Sequence, residues 1–331
     1  MTRSRIAKSP ADKRLRARAE DVVACYRLFL GREPENEDVV AAHLYHAPRL
    51  WDMIGMFFTS PESVLRRISE ASAAISDQQD TSDVEWRASA AELPLLIEHI
   101  RQVWSRYGRE EAYYSVLTDP AYLMERLETT DIESFYATGL LEMERFEAVC
   151  RRNFIEPDPS WEIFELGCGV GRVGEAFASK FSAYIGVDIS AEHIAIAQKR
   201  LAERGLANTT LALLDDFLSG DASTDVFFSM IVLQHNPPPI IHDLLDLCLA
   251  RVRPKGLAYF QVPCHLYDYR FCVTDYLAGQ GQSETMEIHA LPQRDVFALL
   301  ARHGLNPIEV TPDDRIGPIG FSYTFLARKE C

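Results

Sequence analysis

The residues with the most chemistry to offer lie between Ile163 and Phe217. Ile163-Phe164-Glu165-Leu166 is a short apolar run. Gly167-Cys168-Gly169-Val170-Gly171-Arg172 follows it and leads into a helical stretch ending near Phe181. Glycine is needed where backbone turns sharply and a ligand must approach without Cβ interference. The N-terminus of the following helix presents unpaired N–H groups to that ligand. Gly169-Val170-Gly171-Arg172-Val173-Gly174 also satisfies the GxGxxG dinucleotide pattern, and Asp188 stands where that pattern wants an acid for ribose. From spacing alone, a nicotinamide-linked oxidoreductase is a fair rival reading. Cys168, inside the turn, reads as a small residue that fits rather than a nucleophile.

Histidines supply the candidate bases, because imidazole titrates near neutral pH. His235 follows the apolar run Val226–Leu233, at the carboxyl edge where open α/β sheets bind ligands. His289 precedes a helix starting near Gln293. The long segment 265–287 before it carries Tyr267, Asp268, Tyr269 and Arg270, the makings of a lid or substrate platform.

The elements that position these residues alternate. Apolar runs at Trp161–Leu166, Ala183–Val187, Thr209–Leu214, Val226–Leu233 and Gly256–Val262 are separated by helical stretches, which predicts a parallel sheet covered on both faces. Pro307–Thr311 and Ser322–Arg328 flank a Gly/Pro-rich turn and predict a terminal antiparallel pair. Upstream, residues 21–70 read as four helices with breaks at Gly31-Arg32-Glu33-Pro34 and Ser60-Pro61, the fourth spanning 62–72. The polar stretch after them reads as a linker over 75–88. Residues 89–156 are helical again, interrupted near Gly108 and Asp119-Pro120. The expected layout is a basic disordered tail (1–20), a helical module (21–74), the linker (75–88), a helical lead-in (89–156) and an α/β domain (157–331).

The α/β segment resembles class I S-adenosylmethionine-dependent methyltransferases. Glu165-x-Gly167-x-Gly169-x-Gly171, with an acid two residues before the first glycine, resembles their motif I. The resemblance implies that Glu165, Gly167, Cys168, Gly169, Gly171 and Arg172 surround the methionine part of the cofactor. Tyr184-Ile185-Gly186-Val187-Asp188-Ile189-Ser190 resembles the second strand, whose terminal acid holds both ribose hydroxyls. Leu214-Asp215-Asp216-Phe217 resembles the third strand end, where an acid accepts from the adenine amine and its neighbour packs on the ring; Asp216 is preferred over Asp215. The stretch from Asp225 through Gln234 and His235 to Pro238 resembles the fourth-strand motif beside the transferring methyl group. Leu249 through Phe260 resembles the helix, turn and fifth strand that follow. In related methyltransferases a segment like Phe135-Tyr136-Ala137-Thr138-Gly139 covers the cofactor, so the helical lead-in (89–156) is expected to cover that site. The implied fold is a Rossmann-like seven-stranded sheet with its last strand antiparallel, preceded by an α-helical N-terminal domain.

The helical module carries a second resemblance. Tyr26-Arg27-Leu28-Phe29-Leu30-Gly31-Arg32-Glu33-Pro34, with Phe57-Phe58-Thr59-Ser60-Pro61-Glu62, is similar to phycobilisome-linker-like domains of bacterial surface-polysaccharide proteins. It departs from their pattern at Asn36-Glu37-Asp38. The resemblance points to a glycan or glycan-precursor acceptor, or to a protein partner or self-association through the module; a non-catalytic interaction protein led by these helices is the other alternative function.

Composition narrows the classes. Net charge is −15, although residues 1–20 hold seven basic side chains against two acidic ones. An acidic body repels a phosphate backbone, which argues against nucleic acid. Seven scattered cysteines form no CxxC pair. That fits reduced thiols in a cytoplasm and gives no zinc-ligand spacing, so no metal is expected. No apolar run approaches a membrane span or a signal-peptide core.

Overall fold

The computed structural model describes residues 15–60, 62–63, 84–218, 220, 222–279 and 286–330. The chain forms two units, Met1–Asp80 and Thr81–Cys331. The greater part of the expected fourth helix (62–72), residues 75–83 of the expected linker and residues 1–14 of the basic tail lie outside the described residues.

In the first unit, Ala19–Cys25 runs on into a wider turn at Tyr26–Leu30, and Gly31 stops it in a left-handed conformation (φ 68°). Asn36 caps the helix Glu37–His46 by accepting from the Val39 N–H, and Leu50–Thr59 forms the next helix. Val22, Tyr26, Met53 and Phe57 make its core. The Arg32 guanidinium lies over the Tyr26 ring (4.9 Å), donates to Glu35 Oε1 (2.6 Å) and pairs with Glu62 Oε1 (2.7 Å). The motif residues thus join the wide turn to the segment after Ser60.

The second unit holds a seven-stranded sheet in the order β3-β2-β1-β4-β5-β7-β6. The strands are β1 (Glu162–Leu166), β2 (Ala183–Asp188), β3 (Thr209–Leu213), β4 (Thr224–Ser229), β5 (Val252–Leu266), β6 (Leu305–Asp313) and β7 (Gly320–Lys329). β1 to β5 are parallel; β7 runs antiparallel to both β5 and β6. This is the Rossmann-like methyltransferase arrangement, with its last strand antiparallel. Its central strands β1, β4 and β5 are mostly buried and apolar on both sides because helices cover both faces. On one face Phe164, Phe227, Phe260 and Phe325 stack in a row across four strands. On the other, Phe228 and Tyr259 pack against Phe146 and Phe177.

Two boundaries differ from the sequence reading. The run Val226–Leu233 is not strand throughout: β4 ends at Ser229, because Ile231 turns the chain at φ 62° and Leu233–His235 becomes a 3-10 turn. Val84–Ala88, expected as linker, packs in the second unit. Val84 bridges to Phe271, the Val273 N–H donates to Glu85, and Trp86 lies against His242 (4.7 Å).

Candidate active site

Strand order reverses direction between β1 and β4, the place where open α/β sheets leave a crevice at their carboxyl ends. A cavity of about 200 Å³ lies there. Its floor is the end of β1 (Glu165 to Gly169), the end of β2 (Asp188, Ile189), Leu214 and Asp215 after β3, and Met230 to Val232 after β4. Helix Leu93–Glu110, called the cover helix below, brings Leu93, Ile97, Ile100 and Trp104 onto it. Helix Pro238–Ala250 adds Ile240, Asp243, Leu244 and Leu247.

The glycine turn is a close fit. A side chain at Gly167 (φ 72°) would strike Val232 at 2.3 Å. Val232 is brought there by Ile231, a β-branched residue in the left-handed region, where such side chains are strained. The Ile231 N–H donates to Gln261 Oε1 (3.1 Å), which holds that strained turn in place.

Two carboxylates occupy opposite ends of the turn. Asp188 is buried; its Oδ2 accepts from the Gly169 N–H and its Oδ1 from the Ser190 N–H, both at 2.9 Å. Each oxygen keeps a further lone pair for a ligand hydroxyl. Glu165 is also buried and accepts from the Tyr184 hydroxyl (2.6 Å). Burial pushes its carboxyl up to about 7, against the Tyr184 hydrogen bond and the Arg172 charge. A carboxylate held in that state gains from an arriving cation. Arg172 is buried too: one of its nitrogens donates to Thr138 (3.1 Å), and its Nε has no partner within the protein. Burial drives the Cys168 thiol well up, so it stays protonated.

The structure brings Glu165, Gly167, Cys168, Gly169, Arg172, Asp188, Ile189 and Asp215 to the cavity. Asp215, rather than the preferred Asp216, lines it, and its carboxylate accepts from Arg101 of the cover helix (2.8 Å). Phe217 is no ring platform: it is buried in the core, 4.4 Å from Phe164, because the chain turns into a short helix at Leu214–Leu218. Gly171 abuts Ala197 and serves helix packing. Tyr136 stands behind the turn. Its hydroxyl donates to the Val170 carbonyl (2.9 Å) and Arg200 covers its ring, so it braces the loop from outside. Gly139, in the same helix, packs so closely that a side chain there would reach the Arg172 carbonyl at 1.9 Å.

The catalytic candidates also move. Gln234 and His235 are linked, with the Gln234 amide against His235 Nε2 (3.1 Å) and Gln261 donating to Gln234 (3.1 Å). His235 Nδ1 lies 2.8 Å from the Glu287 carbonyl and so carries the proton. Both ring nitrogens are engaged, and burial pushes the imidazole down to about 4. That is a poor proton acceptor at neutral pH. His289 is buried between Tyr269 and Glu287 rather than at the cavity. His235 instead lines a second, smaller cavity with Trp104, Tyr276 and Glu287.

The sequence reading expects the lead-in (89–156) to cover the cofactor site, and the cover helix lies within it, but it missed which of its residues form the wall. Leu93, Ile97, Ile100 and Trp104 recur at helical spacing, which marks an apolar stripe but not what it covers. It also missed His193, Ser115 and Asn236, all lining residues. Among the described residues, no group of three or more His, Cys, Asp or Glu could hold a metal ion, and no helix is long and apolar enough to cross a membrane.

Comparison with known proteins points to the same segment. Residues 163–256 match a family described as a methyltransferase domain. Over 105 residues the chain is 28% identical to the ubiquinone biosynthesis O-methyltransferase of Actinobacillus pleuropneumoniae, covering 30% of this chain and 44% of that one. Over 159 residues it is 32% identical to the 23S rRNA (uracil(747)-C(5))-methyltransferase RlmC of Shewanella baltica, covering 46% and 39%. The chain thus spans less than half the length of these relatives. Among solved structures, it is similar to magnesium protoporphyrin IX methyltransferase of Synechocystis PCC 6803 with bound SAH, at 14% identity and TM-score 0.49, covering 70% of this chain and 98% of that one.

Proposed function

We propose that the chain is an S-adenosylmethionine-dependent methyltransferase that methylates a hydroxyl oxygen, with a sugar of a bacterial glycan or glycan precursor as the acceptor. The observation that carries this reading is the pair of buried carboxylates, Glu165 and Asp188, at the two ends of one glycine turn at the sheet's switch point. The match of residues 163–256 to a methyltransferase domain supports it. When bound, the cofactor supplies an already activated methyl group. The protein's work is therefore placement. Asp188 would accept from the ribose hydroxyls. Glu165 would face the positively charged methionine end, and Arg172 its carboxylate. Gly167 and Gly169 let the backbone approach, and the cover helix excludes water from above. The oxidoreductase reading loses ground because an antiparallel strand stands between β5 and β6, whereas the dinucleotide fold is parallel there.

Oxygen is favoured as acceptor by the name of the ubiquinone relatives. Sugar is favoured by the resemblance of the N-terminal module to domains of surface-polysaccharide proteins; docking or self-association is the module's alternative role. The testing experiment is calorimetric titration with S-adenosylhomocysteine, with NAD and NADP in parallel. Selective binding of the homocysteine compound is expected. Binding of NAD alone overturns the reading.

A further inference from the structure

We propose that Arg101 of the cover helix is a positioning residue for the base of the cofactor. It holds the Asp215 carboxylate where this group accepts from an exocyclic amine, so that the cleft selects adenine over its oxo counterpart, hypoxanthine. This rests on the methyltransferase reading above.

The cleft has aliphatic walls where four elements meet. Ile100, Leu214, Ile240 and Leu244 belong to one buried cluster, Ile97 and Ile189 pack against it, and all six line the cleft. They come from the cover helix, the loop after β2, the short helix after β3 and helix Pro238–Ala250. Such walls suit the flat faces of an aromatic ring. They do not suit a ribose or an amino-acid chain, whose polar groups would lose their partners there. Besides the two carboxylates of the glycine turn, Asp215 and Asp243 stand among the lining residues. Asp243 Oδ1 is met by the neighbouring His242 ring (3.1 Å). Asp215 directly follows Leu214, so the segment that forms one wall also carries a carboxylate to it.

Asp215 takes its partner from far along the chain. Arg101 Nη2 donates to Asp215 Oδ2 (2.8 Å). Glu98, one turn back on the cover helix, lies 3.6 Å from Arg101 Nε and shares its charge. The Asp215 side chain is 59% exposed. Left alone, a carboxylate that open would divide its time among rotamers facing water. Arg101 fixes Oδ2, and a carboxylate accepts more than one donor, so Asp215 can take an amine as well. As an exposed ion pair the contact adds little stability. Its consequence is direction, because it ties the carboxylate to the helix that walls the cleft. Hypoxanthine presents a carbonyl where adenine presents the amine, and a carbonyl meets a carboxylate with no proton between them.

The test is calorimetric titration of the full chain with S-adenosylhomocysteine and S-inosylhomocysteine, which differ in that group of the base. The adenosyl compound is expected to bind about tenfold more tightly. Asp215→Asn, whose amide donates as well as accepts, should bring the ratio to within about twofold of one. Arg101→Ala should lower the ratio by roughly two- to fivefold, chiefly by weakening the adenosyl compound. Arg101→Lys, which returns a cation to Asp215, should recover most of it. A cover helix that had merely loosened would weaken both compounds alike and leave their ratio as it was. A wild-type ratio near one, a ratio that survives Asp215→Asn, or an unchanged ratio in Arg101→Ala overturns the assignment. Failure of both compounds to bind overturns the methyltransferase reading itself, a separate and earlier result.

Discussion

In the N-terminal unit, Arg32 is tied to Glu35 and Glu62 and covers Tyr26, so its motif charges neutralise one another at the surface. In the larger unit, Glu165 and Asp188 are buried, and Arg172 Nε has no protein partner beside the same cleft. Both regions show patterned charges in the sequence. Where the charges close on each other, the pattern builds a fold. Where they are buried and face open space, the pattern is built for something that arrives.

That contrast can be broken at several strengths. The largest expected effect is at Gly139. Gly139→Ala should destabilise the larger unit by about 1–3 kcal/mol through overpacking against the Arg172 carbonyl, read as a lower denaturant midpoint. An unchanged midpoint would mean the two helices can slide apart at no cost. Next, Asp188→Ala should weaken S-adenosylhomocysteine binding by about 1–3 kcal/mol, measured by calorimetry on the folded variant. Undiminished affinity removes Asp188 from the ligand's partners.

The pH dependence of Glu165 is the third case. Its carboxyl is raised to about 7 in the folded protein, above the ordinary carboxylate range. The protonated form is therefore the favoured one. The stability it contributes is present below pH 4.5 or so and is lost as pH rises through about 7. A bound cation favours the ionised form, so S-adenosylmethionine affinity should drop up to about tenfold from pH 7 to pH 6 and level off above 7. Glu165→Gln should flatten that dependence; a wild-type affinity already flat across this range contradicts the assignment. The smallest effect is expected from Arg32→Ala. It should lower the thermal midpoint of the N-terminal unit slightly, since exposed ion pairs contribute little, and leave homocysteine-compound affinity unchanged. A loss of affinity there would erase the distinction between the two regions.

Much of the fold was legible in the sequence. Apolar runs separated by helices gave the parallel strands, and Pro307–Thr311 with Ser322–Arg328 gave the antiparallel pair. The glycine turn was legible because a sharp turn with close ligand approach demands glycine, Asp188 through its spacing from that turn, and Glu165 through the resemblance to motif I of class I methyltransferases. What distance along the chain hides was not. The lead-in (89–156) was expected to cover the site, but not through which residues: the stripe at Leu93, Ile97 and Ile100, some 60 residues upstream of β1, reads the same whether it meets a core or a ligand. Phe217 reads as a ligand platform until Phe164 is seen stacked on it. His235 has the right residue type and place, and only the Gln234 amide and the Glu287 carbonyl reveal that its nitrogens are taken. Glu287 lies in no motif; Tyr276 and His289, from either side of it in the chain, converge to fix it.

The position of β7 bears on how the molecule is made. It is the last of the sheet's seven strands in sequence order, yet it lies between β5 and β6 rather than at a margin. Until it has been synthesised, β5 and β6 each present an unpaired rim, and Phe260 lacks the ring that covers it. Sheet closure must therefore wait for β7 to leave the ribosome. Through that interval, a long apolar β5 is exposed to wrong partners, and growing chains of this protein would be natural clients for chaperones that shield strand edges.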